Sequence, residues 1–127
     1  MDTPRIYYLE ERLVNFATAI VTVTKRLPYD AVTNHLGNQL LRSGTSCALN
    51  YGETMGAESR KDFIHKLRLV IKELRESMVT IKILTRTSYL KADDPIAKVC
   101  AELIAIFSKS IVTARNNSNS KQGANTV

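Results

Sequence analysis

Tryptophan is absent from this 127-residue chain, cysteine occurs twice, and glycine and proline occur five and three times. Two cysteines are too few for a disulfide framework, and a domain of this length does not need one. Leu, Ile and Val are too abundant for a disordered chain. No apolar run approaches the ~18 residues of a membrane span. The opening Met1-Asp2-Thr3-Pro4-Arg5 leads into Glu10-Glu11-Arg12 with no long apolar stretch. That predicts no secretory signal, a cytoplasmic location and no membrane partner. No run alternates convincingly at period two, so strands are not expected.

What remains is helical. Leu13, Phe16, Ala17, Ile20, Thr24 and Leu27 recur at steps of three and four until Pro28 stops them. Ile6 to Leu9 can extend this first helix backward, giving about 6–27. A second helix spans about 30–54, with Gly52 and Gly56 as candidates for its end. The third spans about 59–87. Ser59 and Asp62 resemble a capping box, and Phe63, Leu67, Val70, Ile71, Leu74, Met78 and Ile81 form one apolar face. The fourth spans about 95–115 and opens at Asp94-Pro95, an N-cap followed by a first-turn proline. Ile96, Val99, Cys100, Leu103, Phe107, Ile111 and Ala114 are its inner face. Residues 116–127 are polar with almost nothing to bury, and read as a disordered tail. Short connections favour antiparallel neighbours. The expected fold is all-α: one antiparallel up-and-down four-helix bundle over residues 1–115.

The net charge of +6 is unevenly spread. Residues 58–91 hold nine basic and four acidic groups, while each other segment is within one charge of balance. At ~100° per residue, Lys61, His65, Arg68, Lys72, Arg75, Lys82 and Arg86 fall within about 50° of their mean direction. Only Val79 interrupts the row. Glu58 and Glu76 flank it on one side, and Lys72 has Glu76 within reach. Such a ridge matches a phosphate backbone in length and sign. It also matches the solvated polar face that any amphipathic helix needs. No Gly-rich phosphate loop, aromatic interleaving or recognition-helix motif points to sequence-specific reading.

The second helix carries Gln39, Arg42, Ser43, Ser46, Asn50 and Glu53 on one face. Gly37, Leu40, Leu41, Gly44, Cys47, Ala48 and Tyr51 occupy the other. Its small residues would admit a close neighbour, which offsets the cost of glycine in a helix. The polar face is poor in charge for open surface. It is expected in a wet seam, within the bundle or between subunits, with Arg42 bound to Glu53, Glu73 or Glu76. Ser43 or Ser46 as a nucleophile would need a base, and the only histidines are His35 and His65. Cys47, Cys100 and the two histidines lack metal-ligand spacing. Neither an enzyme, a cofactor nor a metal is expected.

The segments Gln39-Leu40-Leu41-Arg42-Ser43-Gly44-Thr45-Ser46, Asn50-Tyr51-Gly52-Glu53, Gly56 to Leu67 and Lys72-Glu73-Leu74-Arg75-Glu76-Ser77 carry a resemblance. They look like the bacterial four-helix-bundle proteins named after the 23S rRNA intervening sequences that encode some of them. The resemblance covers roughly residues 9–115 and is most specific over 36–84. It implies a homopentamer around a central axis. It also implies kinship with the accessory variability proteins of diversity-generating retroelements, which bind nucleic acid and a reverse transcriptase. No catalytic residues come with it. The matched Gln39, Arg42, Ser46, Asn50, Glu53 and Glu76 are candidates for assembly or packing. The expected function is a non-enzymatic oligomeric scaffold binding RNA or DNA through Lys61, Arg68, Lys72, Arg75, Lys82 and Arg86. A protein–protein adaptor is the rival.

Overall fold

The computed structural model describes residues 3–125, with side chains described from residue 8 to residue 117. Four helices make up nearly all of it: α1 (Thr3–Arg26), α2 (Ala31–Thr54), α3 (Arg60–Arg86) and α4 (Ile96–Asn125). No strand occurs among the described residues. Each helix packs on the next in sequence, and α4 returns to α1 through a thinner contact. The four thus form a bundle around one core.

The helix starts are set by side chains that satisfy orphan backbone N–H groups. Asp30 accepts from the Thr33 amide at 2.9 Å, and the Thr33 hydroxyl reaches back to the Asp30 amide, completing a capping box. The Thr33 amide holds the Asp30 carboxyl below its ordinary pKa, with help from the Thr33 hydroxyl. Ser59 accepts from the Asp62 amide at 3.0 Å. Asp62 in turn accepts from the amide of Glu58 rather than that of Ser59. Asp94 accepts from the Ile96 amide at 2.9 Å, with Pro95 between them needing no partner.

The ends differ from the sequence reading in three places. No glycine among the described residues has positive φ, and α2 closes on tight turns from Gly56 to Glu53 and from Ala57 to Thr54. Gly56 is therefore not a left-handed cap. Ser88 takes that role after α3, with φ of 67°, while Tyr89 and Ser88 donate back to Leu84 and Thr85. Finally, α4 runs past Arg115 to Asn125, and α1 begins at Thr3 rather than near residue 6. No proline or glycine occurs between 116 and 122 to stop α4, and its residues at 115–117 are exposed. The side chains beyond 117, and residues 126–127, lie outside the described residues.

The core follows the periodicity read from the sequence. Leu13, Phe16, Ile20, Leu40, Leu67, Leu74, Ile81 and Leu103 are almost wholly buried, and Tyr51 meets Phe107 edge-on with ring centroids 5.3 Å apart. Leu41, expected on the packed face of α2, is exposed, because it lies a further ~100° round the helix from Leu40. The small-residue face of α2 has its neighbour within the subunit. Gly44 sits against Ile20 of α1, and Gly37 against Leu27. A Cβ at Gly44 would overlap the Ile20 side chain, including both branches from its Cβ. At Gly52 a Cβ would meet nothing within 4 Å.

Two glycines on one helix therefore have opposite expectations. Gly44→Ala should lose about 1–2 kcal/mol, because overpacking outweighs the gain in helix propensity. Gly52→Ala should gain up to about 1 kcal/mol. Urea unfolding of both variants beside the parent checks the pair. Equal shifts would mean that α1 and α2 are not in close contact at Gly44.

Candidate nucleic-acid interface

The seam between α2 and α3 fixes how α3 is turned. At its centre the Ser43 and Ser77 hydroxyls, both buried, share a hydrogen bond of 2.8 Å. Ser77 and Ser43 are also within donating distance of the carbonyls of Glu73 and Leu40. Above them Arg42 donates to Glu76 at 2.7 Å and to Glu73 at 3.2 Å. Of the α2 polar face expected in a seam, Arg42 and Ser43 pair with α3 inside one subunit, while Gln39 and Glu53 are exposed. Glu53 cannot serve Arg42: it lies eleven residues along the same helix, about 16 Å at ~1.5 Å per residue.

The two carboxylates differ electrostatically. Burial pushes the Glu73 carboxyl up from its ordinary value, and the neighbouring Glu76 charge adds to this against the pull of Arg42. The hydrogen bond from Arg42 holds Glu76 below its ordinary value, with Lys72 assisting through space. The same bond raises Arg42. Arg42 thus favours the ionised form of Glu76 more than that of Glu73.

With the seam set, the opposite side of α3 faces outward. Lys61, Arg68, Lys72, Arg75, Lys82 and Arg86 are all exposed, as is His65. None of the six cations joins a salt bridge among the described residues. The ion pairs there are Arg12–Glu102, Arg42 with Glu73 and Glu76, and Lys66–Asp62. From Lys61 to Arg86 the row runs about 37 Å at ~1.5 Å per residue. Beside it a groove of about 720 Å³ runs along α2 and α3, lined by Gln39 and Arg42 together with Arg68, Lys72 and Arg75. Val79 and Ile83 also line it, and are 57% and 42% exposed. The sequence placed Val79 in the row but gave no reason to single out Ile83.

The other α2 candidates are less concentrated. Gln39 and Glu53 are exposed, Ser46 and Asn50 half-buried, and Glu76 half-buried in the ion cluster. Only Gln39, Arg42 and Glu76 come together at the groove. Glu73 also binds Arg42, at a longer distance than Glu76, and Ser77 is the partner of Ser43. The sequence signal for both was their register opposite the polar face of α2.

The remaining nucleophiles are occupied or shielded. Cys47 and Cys100 donate to the Ser43 and Leu74 carbonyls, and burial pushes both thiols up to about 12. No cluster of three or more His, Cys, Asp or Glu suited to a metal occurs among the described residues. Nor is any helix among them long and apolar enough to cross a membrane.

The model of the 23S rRNA-intervening sequence protein family matches residues 10–109. The chain belongs to this family. A crystal structure of a protein of unknown function from the S23 ribosomal protein family of Bacteroides thetaiotaomicron VPI-5482 is similar. It is 30% identical with a TM-score of 0.73, over 81% of this chain and 97% of that one. No curated protein matches the chain. The matched span contains the five seam residues Arg42, Ser43, Glu73, Glu76 and Ser77 and the whole basic row.

Two measurements follow from the buried and paired groups. Glu76 has a depressed folded pKa, so its stabilisation is present above its unfolded value and is lost as pH falls through the folded one. Glu73 has a raised folded pKa, so its contribution is present below its unfolded value and is lost as pH rises through the folded one. At neutral pH, Glu76→Gln should therefore destabilise more than Glu73→Gln, and the gap should close in acid, where both carboxyls are protonated. Denaturant unfolding at the two pH values tests the ordering. Separately, both thiols should resist a disulfide reagent at mildly alkaline pH until the chain unfolds, since the thiolate is the reactive form.

Proposed function

We propose that this chain is a non-enzymatic, oligomeric helical scaffold that binds RNA or DNA in the cytoplasm through its phosphates. One observation carries the reading: six exposed cations share one side of α3, and none is neutralised by a salt bridge. Solvated faces of ordinary helices interleave the two signs, whereas here Glu73 and Glu76 are drawn to Arg42 and Asp62 pairs with Lys66. The contacts are Lys61, Arg68, Lys72, Arg75, Lys82 and Arg86.

We further propose that the helices run antiparallel and that subunits assemble into a homopentamer. Gly44 meets Ile20 while Gly37 meets Leu27, so position rises along α2 as it falls along α1. Assembly no longer draws support from the small-residue face, which α1 occupies. It rests on Leu41 and Leu49, exposed on α2 at 37% and 69% and near the polar Ser46 and Asn50. Five subunits would carry a formal charge of about +30, enough to make individually weak phosphate contacts add up.

Binding should weaken steeply with salt. About five phosphate contacts on duplex DNA give a log–log slope near −4.5. The double variant Lys72→Glu with Arg75→Glu should lower affinity by at least about tenfold and flatten that slope by roughly two contacts. Fluorescence anisotropy with labelled RNA and DNA from ~50 mM salt upward measures both. Absence of binding at the lowest salt, or unchanged binding by the variant, contradicts the proposal. Light scattering at micromolar concentration tests assembly, and a monomeric mass would refute it.

A further inference from the structure

We infer that the groove between α2 and α3 takes an unpaired stretch of nucleic acid, with phosphates on the cationic row and bases against Val79 and Ile83. This rests on the nucleic-acid reading above and narrows it to single strands. Lys72 and Arg75 are cations of the row and also line the groove. Val79 lies at the centre of the row, with Ile83 one turn further along. Two apolar side chains exposed by 57% and 42% in the middle of a cationic surface are costly to leave wet. They are also the wrong chemistry for a duplex. A duplex presents phosphates and sugars to a flat helical ridge and keeps its base faces stacked inside.

A single strand differs on both counts. Its unstacked bases have apolar faces to cover, and arginine planes serve as stacking platforms where aromatic rings are lacking. Arg68 and Arg75 both line the groove, with no carboxylate bound to either among the described residues. Gln39 stands on the opposite wall and offers an amide donor and acceptor to base edges. The row also lies along a single helix. A flexible strand can follow about 37 Å of helix, whereas each backbone of a duplex winds away from a straight line.

The groove suits an acidic helix of another protein less well. Such a helix needs a continuous apolar strip. Here the apolar pair is bordered by Gln39, Arg42 and Glu76, which interrupt any such strip.

The test uses the full chain in anisotropy titrations at ~50 mM salt. The probes are a uridine homopolymer, a mixed-sequence RNA duplex of equal length and a glutamate-rich helical peptide. The uridine strand should bind about five- to tenfold more tightly than the duplex. The double variant Val79→Gln with Ile83→Gln should bring the strand's affinity down towards that of the duplex while keeping its salt slope, because the cations remain. Both positions are exposed, and unchanged helical circular dichroism confirms that the variant is folded. Duplex binding equal to or tighter than strand binding overturns this inference and leaves the broader reading intact. So does an unchanged strand preference in the variant, or displacement of the strand by a lower concentration of the peptide. If no nucleic acid binds at all, the reading beneath it fails as well.

Discussion

The roll of α3 about its own axis is the constraint on which the surface depends. Leu67, Val70, Leu74, Ile81 and Leu84 must be buried, which leaves the helix a narrow range of orientations. The Ser43–Ser77 hydrogen bond and the Arg42 clamp on Glu73 and Glu76 narrow it further. A roll of one residue's angle, about 100°, would bury cations and expose leucines. The outward direction of the basic row is thus a consequence of the core and the seam together.

The seam also decides the sign of the surface. Two of the acidic side chains of α3 are drawn toward Arg42, and a third, Asp62, pairs with Lys66. This removes the groups that would otherwise temper Arg68, Lys72 and Arg75. Lys72 illustrates the point. From spacing alone Glu76 is its natural partner, but the Glu76 carboxylate accepts from Arg42 at 2.7 Å and Lys72 influences it only through space. A cross-helix pair with α2 has therefore displaced the local pair within α3.

Much of this was legible in the sequence, because helical periodicity reports directly on which side chains are inside. The apolar faces of α1, α3 and α4, the caps at Ser59 and Asp94, and Arg42 with a carboxylate of α3 all rest on spacing and chemistry. What was not legible depends on which neighbour a face meets. Gly37 and Gly44 signal a close approach, but nothing in their spacing says that α1 rather than another subunit makes it. Leu41 looks apolar beside Leu40 and yet faces outward. Ile83 falls outside the apolar face read from the spacing, and only the packing of α2 on α3 shows that it lines a groove. The span of α4 beyond Arg115 was missed because a polar composition argues against burial, not against helical backbone.

The central claim is that one side of α3 is a phosphate-binding surface. Lysine acetylation with and without a saturating RNA strand tests it residue by residue, since Lys25, Lys98 and Lys109 are exposed elsewhere on the bundle and act as internal references. The account predicts protection of Lys61, Lys72 and Lys82, with the three reference lysines unchanged. Uniform protection across all six, or protection confined to the reference set, would contradict it.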